Sequence, residues 1–147
     1  MDWSTIDVSL WGIKLKRERK DGALRRVAVL TVQTPFDDEL AESLGGPAAQ
    51  LCAAADQGEI SAVAFPLSLA ARVEIVSGNG DESIEIPVAR GQDVKVSTSD
   101  KHPPQAKISI EFPWTDDELL FLSRHLGTDA MMTVREIQMS LLDDQAA

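Results

Sequence analysis

Tyrosine is absent from this 147-residue chain, cysteine occurs once and histidine twice. A single cysteine closes no internal disulfide, and one cysteine with two histidines at no ligand spacing does not build a zinc site. No apolar run approaches the ~20 residues that cross a bilayer, so no membrane partner is expected. The start, Met1-Asp2-Trp3-Ser4, has neither the basic region nor the apolar core of a secretion signal, and no lipidation motif is present. With the lone thiol this fits a reducing, cytoplasmic setting. Glycine-rich phosphate loops are also missing. Gly78-Asn79-Gly80 lacks the lysine and the helix of a P-loop and reads as a hairpin turn.

Catalytic groupings are equally scarce. Ser123 lies two residues before His125, and positions two apart on a helix do not face each other. His125 belongs to the last turn of a helix, where the dipole favours a cation. His102, before Pro103-Pro104, reads as an exposed loop residue. Cys52, within Leu51-Cys52-Ala53-Ala54-Ala55, reads as a buried structural thiol. These residues give no catalytic site, no metal site and no cofactor. The chain is read as non-enzymatic, with a dispersed carboxylate site as the remaining enzymatic alternative.

What the sequence does have is charge, unevenly placed. Its 24 acids and 14 bases give a net charge of −10. Residues 14–26 hold seven of the bases: Lys14, Lys16, Arg17, Arg19, Lys20, Arg25 and Arg26. Only Glu18 and Asp21 oppose them, so this segment carries +5 and the rest of the chain −15. Such an island on an acidic body is a candidate binding element for phosphate or for an acidic protein surface. The bland alternative is a charged hairpin tip that discourages edge-to-edge aggregation.

The pattern along the chain predicts an α+β fold of one compact domain over residues 1–147, with 143–147 frayed. About seven mostly antiparallel strands are expected, with two or three short helices packed on one face. Ile6, Val8 and Leu10 alternate with polar residues, the period of a half-buried strand. The phase then slips to Trp11, Ile13 and Leu15, which beside Gly12 suggests a β-bulge. Lys20-Asp21-Gly22 signals a tight hairpin turn, so the basic residues sit at the tip of a first hairpin. The apolar run Val27–Val32 reads as a central strand. Asp37-Asp38-Glu39-Leu40 opens a short helix, Gly45-Gly46-Pro47 breaks it, and a second helix is expected from Ala48 to Asp56.

Alternating strands follow, with Leu67 to Ile75 in one run and turns expected at Ser77–Asp81 and at Arg90-Gly91-Gln92. Residues 98–105 (TSDKHPPQ) read as a polar loop. Thr115-Asp116-Asp117-Glu118 is a capping box, and Gly127 is expected to close the helix that it opens. The segment Thr133–Leu142 is read as a strand. A weak echo relates VLTVQTPF-DDEL (29–40) to KISIEFPWTDDEL (107–119). Any strand entering a capped helix can look like this; a true repeat would mean two strand–Pro–aromatic–helix units.

Two acid clusters, Asp37, Asp38 and Glu39 with Glu42, and Asp116, Asp117 and Glu118, stand where helix N-termini want negative charge. Should they lie side by side, they would form a joint acidic patch. The tryptophans Trp3, Trp11 and Trp114 suit core or core-edge positions, with Trp11 below the tip as an alternative stacking face. The functional expectation is an interaction protein that docks on nucleic acid, or on a nucleic-acid-handling protein, through the basic hairpin. Two alternatives are an acidic decoy that mimics nucleic acid and an assembly protein that forms homo-oligomers through its sheet edges. A small acidic chain of this kind suits a bacterial or phage accessory role.

Overall fold

Nearly every strand that alternation marks is present, but the strands close on one another. The computed structural model describes residues 2–20, 22–45, 47–56, 62–99 and 102–137. Strands β1 (Asp2–Lys20) and β2 (Ala23–Pro35) form the first hairpin, followed by α1 (Asp38–Leu44) and α2 (Ala48–Asp56). Then come β3 (Ala62–Pro66), β4 (Ala70–Ser77), β5 (Ser83–Ser99), β6 (His102–Pro113), α3 (Asp116–His125) and β7 (Asp129–Glu136). The sheet order is β3-β5-β4-β7-β1-β2-β6, and β5 also pairs with β6. That last pairing joins the ends into a closed antiparallel ring of six strands, with β3 attached to β5. The fold is α+β, with seven antiparallel strands in one sheet and three helices.

Closure depends on two long strands that change partners midway. β1 pairs with β7 over Asp2–Ser9 and with β2 from Ser9 onward. β5 pairs with β4 up to Arg90, and with β3 from Asp93. Each long strand carries a one-residue irregularity at the change, between Leu10 and Gly12 in β1 and between Gly91 and Asp93 in β5. An extra residue bends a strand and raises its twist, which a closing sheet requires.

The inner face is continuous. Val8, Leu10, Leu30, Val32, Ile75, Ile86, Val94, Ile108, Phe112 and Met132 belong to one buried cluster. Leu40, Ala41, Ala48 and Cys52 from α1 and α2, and Phe121 and Leu122 from α3, join the same cluster. The helices therefore pack against the inner face of the sheet. Cys52 is fully buried, its Sγ 3.7 Å from the Phe36 carbonyl.

The echo between residues 29–40 and 107–119 has a structural counterpart. β2 and β6 lie antiparallel, with Leu30 opposite Ile110, Thr31 opposite Ser109 and Val32 opposite Ile108. The Thr31 and Ser109 hydroxyls meet at 3.1 Å, on a local two-fold axis. Phe36 and Trp114 follow the two strands, and Asp37 and Thr115 cap the two helices. The bulge residues Trp11 and Gln92 are equivalent under the same axis. Two interlocked strand–strand–helix–strand units thus build the ring.

Several expectations change. Arg90-Gly91-Gln92 is not a turn: β5 runs straight through it. Gly91 is there because the backbone after β3 passes so close that a Cβ would sit 2.6 Å from the Leu67 carbonyl oxygen. The run Leu67–Ile75 is not one strand, since residues 67–69 break between β3 and β4 where that crossing occurs. Within 98–105 the described residues are strand, not loop: β5 reaches Ser99 and β6 starts at His102, with Ser99 opposite His102, while residues 100 and 101 lie outside the described residues. Pro103 and Pro104, which lack an N–H, fall at the irregular end of that ladder. Gly127 does close α3, as expected. It follows the C-cap Leu126 at a φ of 82°, in a turn that the Thr128 N–H closes on the His125 carbonyl, and its own N–H donates to the Leu10 carbonyl. β7 begins at Asp129, earlier than Thr133, while residues 138–147, the rest of the expected strand and the frayed tail, lie outside the described residues.

His125 does more than sit at a helix terminus. Its Nε2 lies 3.1 Å from Glu82, and Arg124 donates to the same carboxylate at 2.9 Å. These contacts tie the end of α3 to the turn between β4 and β5. The hydrogen bond from His125, and then that from Arg124, hold the Glu82 carboxyl below the usual glutamate range. A lowered folded-state pKa means stabilisation that is present at neutral pH and lost as the pH falls through that value. The urea midpoints of wild type and Glu82→Gln are expected to differ at neutral pH and to converge as the pH falls through the lowered Glu82 value. A gap that persists under acid would mean that the Glu82 charge contributes nothing.

Candidate functional site

The basic segment projects from the ring. β2 pairs with β6 only from Val27 onward, and β1 pairs with β7 only up to Ser9. Residues 17–20 and 22–26 therefore extend past the ring as a two-stranded ribbon, with Lys20 opposite Ala23 at the turn. Gly22 in that turn has φ of 78°, a conformation that glycine adopts without strain.

Strand pleat distributes the bases over both faces. Arg17 lies directly opposite Arg26, and Arg19 opposite Leu24. Alternation places these pairs, with Leu15, on one face and Lys14, Lys16 and Arg25 on the other. Lys14, Arg17, Arg19, Arg25 and Arg26 are exposed, and among the described residues none of them forms a salt bridge. Lys16 is half-buried and bridges Glu111 at 3.0 Å. The Arg26 guanidinium lies 5.7 Å from the Trp114 ring centroid. For Lys20 only the backbone is described. Like charges directly opposite across two strands destabilise the pairing, so Arg17 and Arg26 cost this ribbon stability. Leu15 and Leu24 are 47% and 59% exposed on the same face.

Trp11 is not a core residue. It is 57% exposed, and the Lys107 ammonium lies 3.9 Å above its ring. Trp11 is the extra residue of the bulge. The inward phase passes from Leu10 to Ile13, and Trp11 is left on the outer face. Beside it runs a groove of about 850 Å³, walled by β1, the end of β2 and the start of β7. Its rim includes Asp7, Gln33, Gln105, Asp129 and Met131. Sequence reasoning missed Lys107 and these rim residues. Only the register of β1, β2, β6 and β7 brings them together.

The acid clusters are separate. α1 follows the C-terminal end of β2 and α3 that of β6, and these strands are antiparallel over nine pairs. At about 3.4 Å per residue the two helix starts are roughly 30 Å apart along the strands, so no joint acidic patch exists. Asp37 caps α1 by accepting from the Leu40 N–H at 2.8 Å. Thr115 and Glu118 form the expected capping box, with Glu118 buried. Asp38, Glu39, Asp116 and Asp117 lie exposed in the first turns.

Among the described residues no three His, Cys, Asp or Glu side chains converge as a metal site. No helix among them is long and apolar enough to cross a membrane. Compared with protein-family models, curated proteins and solved structures, the chain matches none.

Proposed function

We propose that this protein is a non-enzymatic binding protein that grips the phosphate backbone of a nucleic acid through its basic ribbon. The supporting observation is a ribbon that extends past the ring with four exposed bases, and Lys14 at its base as a fifth, all unbridged among the described residues and two of them directly opposed. Phosphates between Arg17 and Arg26 would relieve their repulsion. The −15 body repels phosphate elsewhere and so orients the ribbon toward it. Ring closure favours this reading over assembly through sheet edges. Among the described residues it leaves the outer edge of β3, one edge of β1 beyond Ser9, that of β2 before Val27 and part of β5. The separation of the acid clusters, and their use as helix caps, leave a nucleic-acid decoy with little to stand on.

The test is a fluorescence-anisotropy titration against single-stranded DNA, duplex DNA and RNA over a series of salt concentrations. Five phosphate contacts predict a log–log salt slope of about −3.5 for a single strand and about −4.5 for a duplex. Affinity for a single strand should then fall roughly 100-fold between 50 and 200 mM salt. No binding at low salt, or a slope near zero, would overturn the proposal.

A further inference from the structure

The local two-fold axis supplies an internal comparison for Trp11. Its equivalent, Gln92, lies on the outer face of the other unit and donates a hydrogen bond to Glu111, which Lys16 also bridges. That polar cluster satisfies itself. At the matching position the first unit instead presents a tryptophan, 57% exposed, beside an open groove. An exposed indole at a bulge contributes little to the core. Two equivalent places in one ring therefore differ in one respect: one is closed and polar, the other open and aromatic.

The surroundings of Trp11 change sign across the ring. On one side are Lys107, over the indole, and Lys14, three residues further along β1 toward the ribbon. On the other side the groove has Asp7 and Asp129 on its rim, with Asp129 accepting from the Ser9 hydroxyl at 3.0 Å. Between them lie the amides of Gln33 and Gln105. The Gln33 amide makes no hydrogen bond among the described residues. The groove volume is within the range of small-ligand sites.

We infer that this groove takes a nucleobase of a single-stranded nucleic acid, stacked against Trp11. The inference rests on the phosphate-binding reading of the ribbon and adds strandedness to it. Phosphates stay on the lysine side, because the rim acids repel them. The base, which is uncharged, crosses the indole into the groove, where amides and carboxylates complement its donors and acceptors. A duplex keeps its bases stacked and cannot use the site without paying to unstack one.

The experiment compares an oligothymidylate of about ten nucleotides, an abasic deoxyribose-phosphate strand of equal length, a duplex and free thymidine monophosphate, against wild type, Trp11→Ala and Trp11→Phe. Wild type is expected to bind oligothymidylate roughly 5- to 150-fold more tightly than the abasic strand, with a change in tryptophan fluorescence. Trp11→Ala should bring the two strands level while leaving abasic binding and its salt slope unchanged, and Trp11→Phe should recover part of the gap. Equal binding of both strands by wild type, or a gap untouched in Trp11→Ala, overturns the base site and leaves the ribbon reading standing. Thymidine monophosphate binding as tightly as the oligomer would also overturn it, in favour of a free-nucleotide site. If neither strand binds at low salt, the ribbon reading itself fails.

Discussion

Reversing Lys14, Arg17 and Arg19 to glutamate is expected to abolish nucleic-acid binding while leaving the ring folded. These positions are chosen for what they do not touch. All three are exposed, and none forms a salt bridge among the described residues. Lys16, bridged to Glu111, and Arg26, over Trp114, are left in place because each holds a contact with the rest of the molecule. Exchanging three bases for acids changes the ribbon by six charge units, taking segment 14–26 from +5 to about −1. Of the five exposed bases only Arg25 and Arg26 remain. Two contacts predict a single-strand salt slope of about −1.4, and the new carboxylates repel the phosphates that these two would hold. At low salt the affinity should fall by roughly 100-fold or more, below the range of an anisotropy titration. The thermal midpoint should rise slightly or stay level, because Arg17→Glu converts a like-charged cross-strand pair with Arg26 into an attractive one. Lost binding with an unchanged or higher midpoint separates function from folding. Retained binding would assign the ribbon to edge protection alone.

The sequence carried this ribbon in full because its signals are local. Strand alternation, a two-residue turn ending in glycine and a run of bases all lie within twenty-odd neighbouring positions. The bounds of α2, the capping box of α3 and the irregularity beside Gly12 are local in the same sense. Trp11 shows where such reading stops. Alternation reveals that one residue is extra between Leu10 and Ile13 but does not say which. Grouping Trp11 with Ile13 and Leu15 put it on the inner phase, and the structure makes it the extra residue and turns it outward. A single slot in the phase decides between a core tryptophan and an exposed one.

Ring closure was beyond local signals altogether. A strand that keeps one partner and a strand that exchanges partners midway have the same period. The length of β5 was hidden by Arg90-Gly91-Gln92, because glycine marks a turn and a close backbone approach with the same letter. The proline pair at 103–104 concealed the start of β6 for a similar reason. The echo between residues 29–40 and 107–119 was the one long-range signal on view. Its meaning needed the pairing of Thr31 with Ser109, which puts the two units head to tail and sends their acid-capped helices to opposite ends.

Gly91→Ala is expected to be among the most destabilising single substitutions in the chain, although it adds one methyl group. The new Cβ would lie 2.6 Å from the Leu67 carbonyl oxygen and 2.7 Å from Leu67 Cγ. The first of these is backbone, so a rotamer change cannot relieve it. The backbone there is also held in place: Gly91 donates to the Leu69 carbonyl at 2.8 Å, and Leu67 donates to the Gln92 carbonyl at 3.1 Å. Any shift that admits the methyl group strains or breaks these two bonds. Overpacking costs about 1–3 kcal/mol and each lost hydrogen bond about 0.5–1.5 kcal/mol. The expected loss is therefore about 2–6 kcal/mol, a large part of the 5–15 kcal/mol that holds a typical domain folded. The damage falls where β5 changes partners, so closure itself is what weakens. The matched control is Gly12→Ala, close to the equivalent bulge in β1, where a Cβ meets nothing within 4 Å and φ is ordinary. It should shift the urea midpoint by no more than a surface substitution does, about 0.5 kcal/mol in stability. Equal midpoints for the two variants would mean that the crossing at Leu67 is slack, and that the ring is held shut by the β5–β6 ladder alone.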